Sequence, residues 1–251
     1  VYFVVSISGM FMGIGMIILL FMSILRTIRN VHNMEVQRQQ RALEKRRQQT
    51  ERLSLQMMQT LALTVEAKDE YTRGHSHRVA EYAALIAKEL HWSPEEILNL
   101  KYAAHLHDIG KVGIPDTILN KPTRLTPEEY AVTKEHTVIG SEILKNITLL
   151  KRSADVARHH HERYDGKGYP DGLKGEEIPI AAQVVSLADV YDALVSKRVY
   201  KEGYSHEKTI EMILNGECGN FNPILIECLK DIQSDIPDEV YRGGGKILLG
   251  A

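Results

Sequence analysis

The first 25 residues contain no charged side chain, and this feature constrains the fold of the chain most strongly. Residues 2–25 are long enough to cross a bilayer, where only a helix or a closed barrel satisfies its own backbone. A signal peptide is the alternative. It is disfavoured because the run has no basic start, no small-residue cleavage site and an apolar stretch that is too long. We therefore predict that residues 1–25 form a transmembrane helix.

The segment after this run is strongly basic. Residues 26–52 hold eight Arg or Lys and three Asp or Glu, which predicts a cytoplasmic location for everything that follows. The localisation expected is therefore the inner (cytoplasmic) membrane. Two cysteines, Cys218 and Cys228, are too few for a disulfide framework and suit a reducing compartment. Because the chain begins at Val1 within an apolar run, we expect it to be part of a longer protein.

Residues 26–52 also lack Gly and Pro, which predicts a continuous, basic helical linker. Both a solvated spacer and a dimeric coiled coil are compatible with its sparse apolar positions, and the coiled coil would make the protein a homodimer. From Leu53 onward the pattern changes. Leu53, Met57, Leu61 and Val65 recur every four residues and predict an apolar helix face.

The remainder predicts an all-α domain over residues 53–235, with a tail at 236–251. Ser93-Pro94 and Thr126-Pro127, each followed by two glutamates, are typical helix starts. Helical periodicity covers most of this part, whereas alternating strand patterns are nearly absent. The segments concerned are 75–90, 95–108, 127–145, 150–161 and 178–197, with a loop at 165–175. An excess of acidic residues in this domain argues against binding of a nucleic acid duplex.

Histidines and aspartates recur at the predicted helix ends, and the chain has 11 histidines. The clusters are His75, His107-Asp108, His136, His159-His160-His161 and Asp189. A buried carboxylate is costly unless it is paired or bound to a metal. Imidazole with carboxylate, and without cysteine, suits iron, manganese, zinc or cobalt. So many ligands suit two metals that share a carboxylate, an arrangement that fits phosphodiester hydrolysis.

Several longer motifs resemble those of the HD-GYP family. They are DEYTRGHSHRV (69–79), HDIGKVGIPDTIL (107–119), NKPTRLTPEEY (120–130), EH (135–136), HHERYDGKGYPDGL (160–173), IP (178–179) and ADVYDAL (188–194). The motifs occur in the family's order and spacing, over roughly residues 60–225. The resemblance implies an HD-domain helical bundle that hydrolyses the second messenger cyclic di-GMP to pGpG, with GMP as a further product in some members.

The resemblance also implies the residues of the site. The metal ligands would be His75, His107, Asp108, His136, His160, His161 and Asp189, holding two divalent transition-metal ions, iron or manganese. Asp108 would bridge them, with Lys111 assisting at the phosphate, although a plain surface lysine is the alternative. Tyr169, Arg198 and Lys201 would bind substrate. The alternative for Arg198 and Lys201 is that they lie at a solvated helix end without a role in binding.

Two further positions refine these expectations. Some family members carry a glutamate that supports a third metal at the position of Tyr71, so two ions are expected here. Asp192 is expected to orient a ligand, and His159 to lie beside the site. Arg198 is nine residues after Asp189, so it reaches the site only if the helix ends before it or if its long side chain wraps around the helix end. We expect the first, with a break near Ser196.

Two other functions remain compatible with the sequence. One is a catalytically silent receptor for cyclic di-GMP, which would be expected to lose ligands or the Gly168-Tyr169-Pro170 loop. The other is an HD phosphohydrolase acting on a different cyclic dinucleotide. Turnover of a panel of cyclic dinucleotides separates these alternatives.

Overall fold

The computed structural model describes residues 2–69, 74–147, 151–196 and 203–236. It divides the chain into two compact units, residues 1–54 and 55–251. Within the described ranges every regular element is helical and there is no β-strand. The all-α prediction is therefore confirmed. The predicted tail lies outside the described residues apart from Ile236.

The described ranges contain nine α-helices and three short 3-10 helices. The α-helices are α1 (Tyr2–Glu66), α2 (His75–Glu89), α3 (Pro94–Leu106), α4 (Asp116–Leu119), α5 (Pro127–Leu144), α6 (Lys151–His159), α7 (Ile180–Val195), α8 (His206–Leu214) and α9 (Pro223–Ile232). The 3-10 helices are Ile109–Gly113, Gly175–Glu177 and Gln233–Asp235.

Unit 1 consists of the greater part of α1. The helix continues without a break through the basic segment, so the prediction of a helical linker is confirmed. An 18-residue window of this helix has a mean hydropathy of 2.1, and it is long and apolar enough to cross a membrane.

Unit 2 is built around α2 and α7, which pack against each other, with α3 and α9 beside α2. Small residues on α2 allow this close approach, because Ala80, Ala83 and Ala87 are all fully buried. The rings of Tyr82 and Tyr191 meet edge to face at 4.8 Å between centroids. This arrangement fixes the relative positions of α2, α3 and α7. Predicted site residues lie on α2 and α7 and in the turn directly after α3.

Both predicted helix starts form complete capping boxes. Ser93 accepts a hydrogen bond from the Glu96 amide, and the Glu96 side chain accepts one from the Ser93 amide. Thr126 and Glu129 form the same pair at the start of α5. Each box satisfies two amides that the helix itself leaves without partners. The local signals thus set where α3 and α5 begin.

The apolar face predicted from residue 53 is only partly correct. Leu53, Met57 and Leu61 are exposed at 56%, 56% and 47%, whereas Val65 is buried. The buried residues near the end of α1 are instead Ala62, Val65 and Glu66, at the i, i+3, i+4 spacing of one helix face. The core therefore begins later in α1 than the period-four pattern indicated.

Candidate metal centre

Asp108 lies at the centre of the histidine clusters, in the turn between α3 and the first 3-10 helix. Its Oδ2 is 3.4 Å from His107 Nε2 and 3.9 Å from His75 Nε2. Its Oδ1 is 3.4 Å from His136 Nε2 and 3.8 Å from His160 Nε2. The two oxygens of one carboxylate therefore face two separate sets of imidazoles.

The candidate ligand atoms form two groups that share this carboxylate. The groups are Asp108 with His136, His160 and His161, and Asp108 with His75 and His107; within each, the atoms lie within 4.8 Å of one another. Asp189 joins the second group, because its Oδ1 is 3.3 Å from His75 Nε2. The structure thus brings all seven predicted ligands together, from α2, α5, α7 and the turns after α3 and α6.

Four of the candidate ligand histidines form a hydrogen bond through Nδ1, which determines that Nε2 is the nitrogen available to bind a metal. A carbonyl or carboxylate oxygen only accepts, so the Nδ1 that it contacts must bear the proton. The acceptors are Ala104 O for His107 (2.6 Å), Thr133 O for His136 (2.7 Å), Ala157 O for His160 (3.0 Å) and the Asp192 carboxylate for His75 (2.8 Å). The Nε2 atoms of these rings are therefore left to face Asp108, as in metal-binding histidines.

The acidic group at the centre stays ionised. Burial raises the pKa of Asp108, but the nearby Lys111 ammonium and His107 outweigh burial and hold that pKa well below its ordinary value. Burial likewise raises the pKa of Asp189, and the hydrogen bond from His75 more than reverses this effect. Both carboxylates can therefore bind a cation without first losing a proton.

The two imidazole sets differ in their electrostatics. Burial and the neighbouring His161 hold the pKa of His160 well below its ordinary value, and burial lowers the pKa of His161 to about 3. These rings are neutral and offer lone pairs. Burial also lowers the pKa of His75, but Asp189 and Asp192 prevail and raise it to about 10. The environment of His75 therefore stabilises positive charge, whether a proton or a metal ion.

This donor set fits divalent transition metals. It consists of buried imidazoles and ionised carboxylates, and neither Cys218 nor Cys228 belongs to it. Four of the five histidines are oriented by hydrogen bonds through Nδ1, which leave Nε2 free to bind a metal. The residues that would hold the metals are the seven named above.

Lys111 lies beside Asp108 as the i+3 spacing predicted, and the structure adds a partner that the sequence analysis missed. The Lys111 ammonium is 2.8 Å from Asp108 Oδ2 and 2.8 Å from Asp69 Oδ2. Asp69 is buried, near the end of α1. Sequence spacing offered no signal for this role, because Asp69 and Lys111 are 42 positions apart.

Two buried glutamates that organise the site were also missed. Glu66 accepts hydrogen bonds from the amides of Gly74 (2.7 Å) and Ser76 (2.8 Å), at the start of the helix that bears His75. Glu162 accepts from the amides of Asp171 and Gly172, and so holds the Gly168-Tyr169-Pro170 loop. The signal for Glu162 was its place directly after two ligand histidines.

The predicted substrate-binding residues fall into two classes. The Tyr169 ring stacks on His161, with centroids 4.8 Å apart and an interplanar angle of 29°. Arg198 and Lys201 lie outside the described residues, and so does Tyr71, the position linked to a third metal. The predicted break is confirmed, however, because α7 ends at Val195 and Ser196 has an extended conformation.

Asp192 and His159, which were expected to lie beside the ligands, have the contacts that this expectation implies. Asp192 accepts from His75 Nδ1 at 2.8 Å and also binds the Arg78 guanidinium, so it orients a candidate ligand. His159 contacts Asp171 at 3.1 Å and is not in either ligand group.

Comparison with known proteins identifies the family. The profile of the HD domain family matches residues 30–221. A cyclic di-GMP phosphodiesterase of Thermotoga maritima is 41% identical over 189 residues, which are 74% of this chain and 51% of that protein. A 3'3'-cGAMP-specific phosphodiesterase of Vibrio cholerae is 37% identical over 194 residues, which are 74% of this chain and 37% of that protein.

The solved structures agree with the fold. The crystal structure of a cyclic GMP-AMP-specific phosphodiesterase of V. cholerae has a TM-score of 0.53 at 18% identity, covering 73% of this chain and 54% of that one. The chain spans about half the length, or less, of the curated relatives it matches. With the family profile matching most of its length and the HD-GYP motifs assembled around one centre, the chain belongs to the HD domain family, in its HD-GYP form.

Proposed function

We propose that the protein is a metal-dependent phosphodiesterase that hydrolyses cyclic di-GMP to linear pGpG. The observation that supports this proposal most directly is the Asp108 carboxylate, whose two oxygens face different imidazole sets. Such a carboxylate is suited to bridge two ions, and two-metal sites are typical of enzymes that cleave phosphate esters. The names of the relatives support cyclic di-GMP as the substrate.

The proposed cofactors are two divalent ions, iron or manganese, held by the seven residues of the candidate metal centre. When bound, they would supply Lewis-acid stabilisation of the phosphoryl oxygens and a water of lowered pKa. The protein's own contribution is to fix the ligands. Five of the seven ligands are buried, and four of the five histidines are held through Nδ1, so little reorganisation is needed.

Lys111 is proposed to assist at the reacting phosphate. Burial lowers its pKa, but Asp108 and Asp69 raise the pKa above its ordinary value, so the ammonium stays charged. Asp69 holds this charge beside the carboxylate at the centre of the site. A fixed positive charge there stabilises negative charge that develops on the phosphate during hydrolysis.

Replacing Lys111 by alanine is expected to lower kcat more than it changes KM, because the charge acts mainly in the transition state. The loss of one charge-assisted contact predicts a decrease of roughly ten- to a hundred-fold. Asp69→Asn should lower kcat less, since the lysine remains but is less firmly positioned. Steady-state kinetics on cyclic di-GMP measures both effects.

Lys121→Ala provides the control, because Lys121 also pairs with a carboxylate, that of Glu129, and neither residue belongs to a ligand group. This variant should keep the kinetic constants of the unmodified protein. A Lys111→Ala variant with normal kcat, or one with the same kinetics as Lys121→Ala, would contradict the assigned role.

We also propose an anchored arrangement for the domains. Residues 1–25 would span the inner membrane, 26–52 would form the linker, 53–235 the cytoplasmic catalytic domain and 236–251 a tail. The division between the two units after Ser54 supports this boundary. Exposed apolar side chains within the linker, including Met34 (62%) and Leu43 (65%), support a homodimer through this helix.

The experiment that tests the function is product analysis with the detergent-solubilised chain, loaded with manganese or iron, against a panel of cyclic dinucleotides. Release of pGpG from cyclic di-GMP, and its loss on chelation, is expected. A protein that binds cyclic di-GMP but releases no product would be a receptor, and the proposal would fail.

A second substrate is favoured by one specific observation. A relative at 37% identity is named for 3'3'-cGAMP, almost the same identity as the cyclic di-GMP relatives. The metal centre reacts with a phosphodiester that both molecules contain, so it does not distinguish them. Faster turnover of 3'3'-cGAMP than of cyclic di-GMP in the same panel would establish this alternative.

A further inference from the structure

Lys134, on α5, presents an ammonium group that contacts two aromatic rings. Its Nζ lies 5.1 Å from the centroid of the Tyr130 ring and 5.6 Å from that of Tyr169. The residue is half-buried. Within the part of the chain that the structure describes, no carboxylate forms an ion pair with it, whereas Lys111 contacts two.

The two rings connect this ammonium with the metal centre. Tyr169 stacks on His161, whose ring is 5.1 Å from that of His136. Tyr130 meets Tyr169 edge to face at 6.4 Å and is itself 48% exposed. One aromatic surface therefore begins at the candidate ligands and ends beneath Lys134.

This surface has the chemistry of an anion site flanked by stacking groups. Ring faces attract a cation and hold it in place, but they do not neutralise its charge. The positive charge of a half-buried ammonium is not fully compensated when it has no anionic partner. A phosphate oxygen would supply the missing negative charge. The exposed ring of Tyr130 beside the ammonium is suited to stack on a nucleobase.

We infer that Lys134, Tyr130 and Tyr169 form a subsite for the second, non-reacting phosphate of the cyclic dinucleotide and the base next to it. The inference rests on the proposed function. A cyclic dinucleotide has two phosphodiesters, and only one can lie at the metal centre for hydrolysis. The other needs its own cation. Arg198 and Lys201 lie outside the described residues and Lys111 is already held between Asp69 and Asp108, so Lys134 is a candidate for this cation among the described residues.

Such a subsite contributes binding that is the same in the substrate and in the transition state, so it should affect KM rather than kcat. Lys134→Gln is expected to raise KM for cyclic di-GMP roughly ten- to a hundred-fold, the effect of one lost charge-assisted contact. Lys134→Arg keeps the charge and should retain most of the affinity. Tyr130→Leu should raise KM, whereas Tyr130→Phe should not.

The kinetics of the detergent-solubilised full chain on two substrates separate this role from a structural one. Bis(p-nitrophenyl) phosphate has a diester but neither a second phosphate nor a nucleobase, so Lys134→Gln should hydrolyse it normally. Lys145→Gln is the matched control, since Lys145 follows the last residue of the same helix and pairs with Glu142. It should behave as the unmodified protein on both substrates.

An unchanged KM for cyclic di-GMP in Lys134→Gln overturns the inference, and so does an equal loss on both substrates, which would indicate a structural role. If the unmodified protein releases no pGpG, the proposed function fails instead. Equilibrium binding of cyclic di-GMP then decides the inference, because a Kd that Lys134→Gln leaves unchanged overturns it.

Discussion

Replacing Asp108 by alanine is expected to abolish turnover while the helices persist. The carboxylate faces both imidazole sets, with His107 Nε2 at 3.4 Å from one oxygen and His136 Nε2 at 3.4 Å from the other. Its removal takes a ligand from both proposed metals at once. The decrease should therefore exceed the roughly 10- to 100-fold that follows from changing only the hydrogen-bond partner of a ligand.

The same replacement should lower the metal content, which elemental analysis measures. The unmodified protein should hold about two transition-metal ions per chain, in line with its two ligand groups around one bridging carboxylate, and Asp108→Ala should hold fewer. The circular dichroism spectrum should remain that of a helical protein, because the hydrophobic core between the helices does not include this side chain.

Asp116→Ala is a suitable control. Asp116 is exposed, on the short helix after the same turn, and belongs to neither ligand group. Its replacement should leave metal content and activity unchanged. Near-normal hydrolysis by Asp108→Ala would show that the proposed two-metal chemistry is wrong.

Replacing Gly110 by alanine is expected to cost about 3 kcal/mol of stability or more, at the upper end of the range for overpacking a buried site. A Cβ atom at this position would lie 1.9 Å from His136 O and 2.5 Å from the Gly140 amide nitrogen. Both are backbone atoms of α5, which cannot move aside as the end of a side chain can. The turn that bears Asp108 would be forced away from His136.

Gly110→Ala should affect metal binding as well as the stability of the fold. Separation of the turn from α5 would increase the distance between Asp108 and His136, so metal content should fall together with the midpoint of thermal unfolding. A Gly110→Ala variant that keeps normal stability and metal content would contradict the packing described here.

Gly113→Ala, in the same 3-10 helix, is the matched control. A Cβ atom there would meet only the side chain of Ile139, at 2.9 Å from its Cδ1. Because that methyl group ends a flexible side chain, the change in stability should stay within about 1 kcal/mol. The comparison isolates backbone contact from the general effect of changing Gly to Ala.

The sequence by itself determined much about this protein. Helix starts at Ser93 and Thr126 depend on side chains within one turn of the backbone they cap, so local spacing predicted them. The ligand residues were found by their resemblance to family motifs. The end of α7 near Ser196 followed from helix geometry together with the substrate role that the resemblance implies for Arg198.

Only the tertiary structure decided how these residues meet. Asp69 reaches Lys111 across 42 positions, and Gly110 contacts the backbone of α5, because separate helices pack together there. The buried face of α1 was predicted only in part for the same reason. Periodicity shows that a helix has an apolar face, but the neighbouring elements determine where along the helix burial begins. Contacts between residues distant in sequence leave no spacing pattern, so the role of Asp69 emerged only when the folded chain placed it beside Lys111.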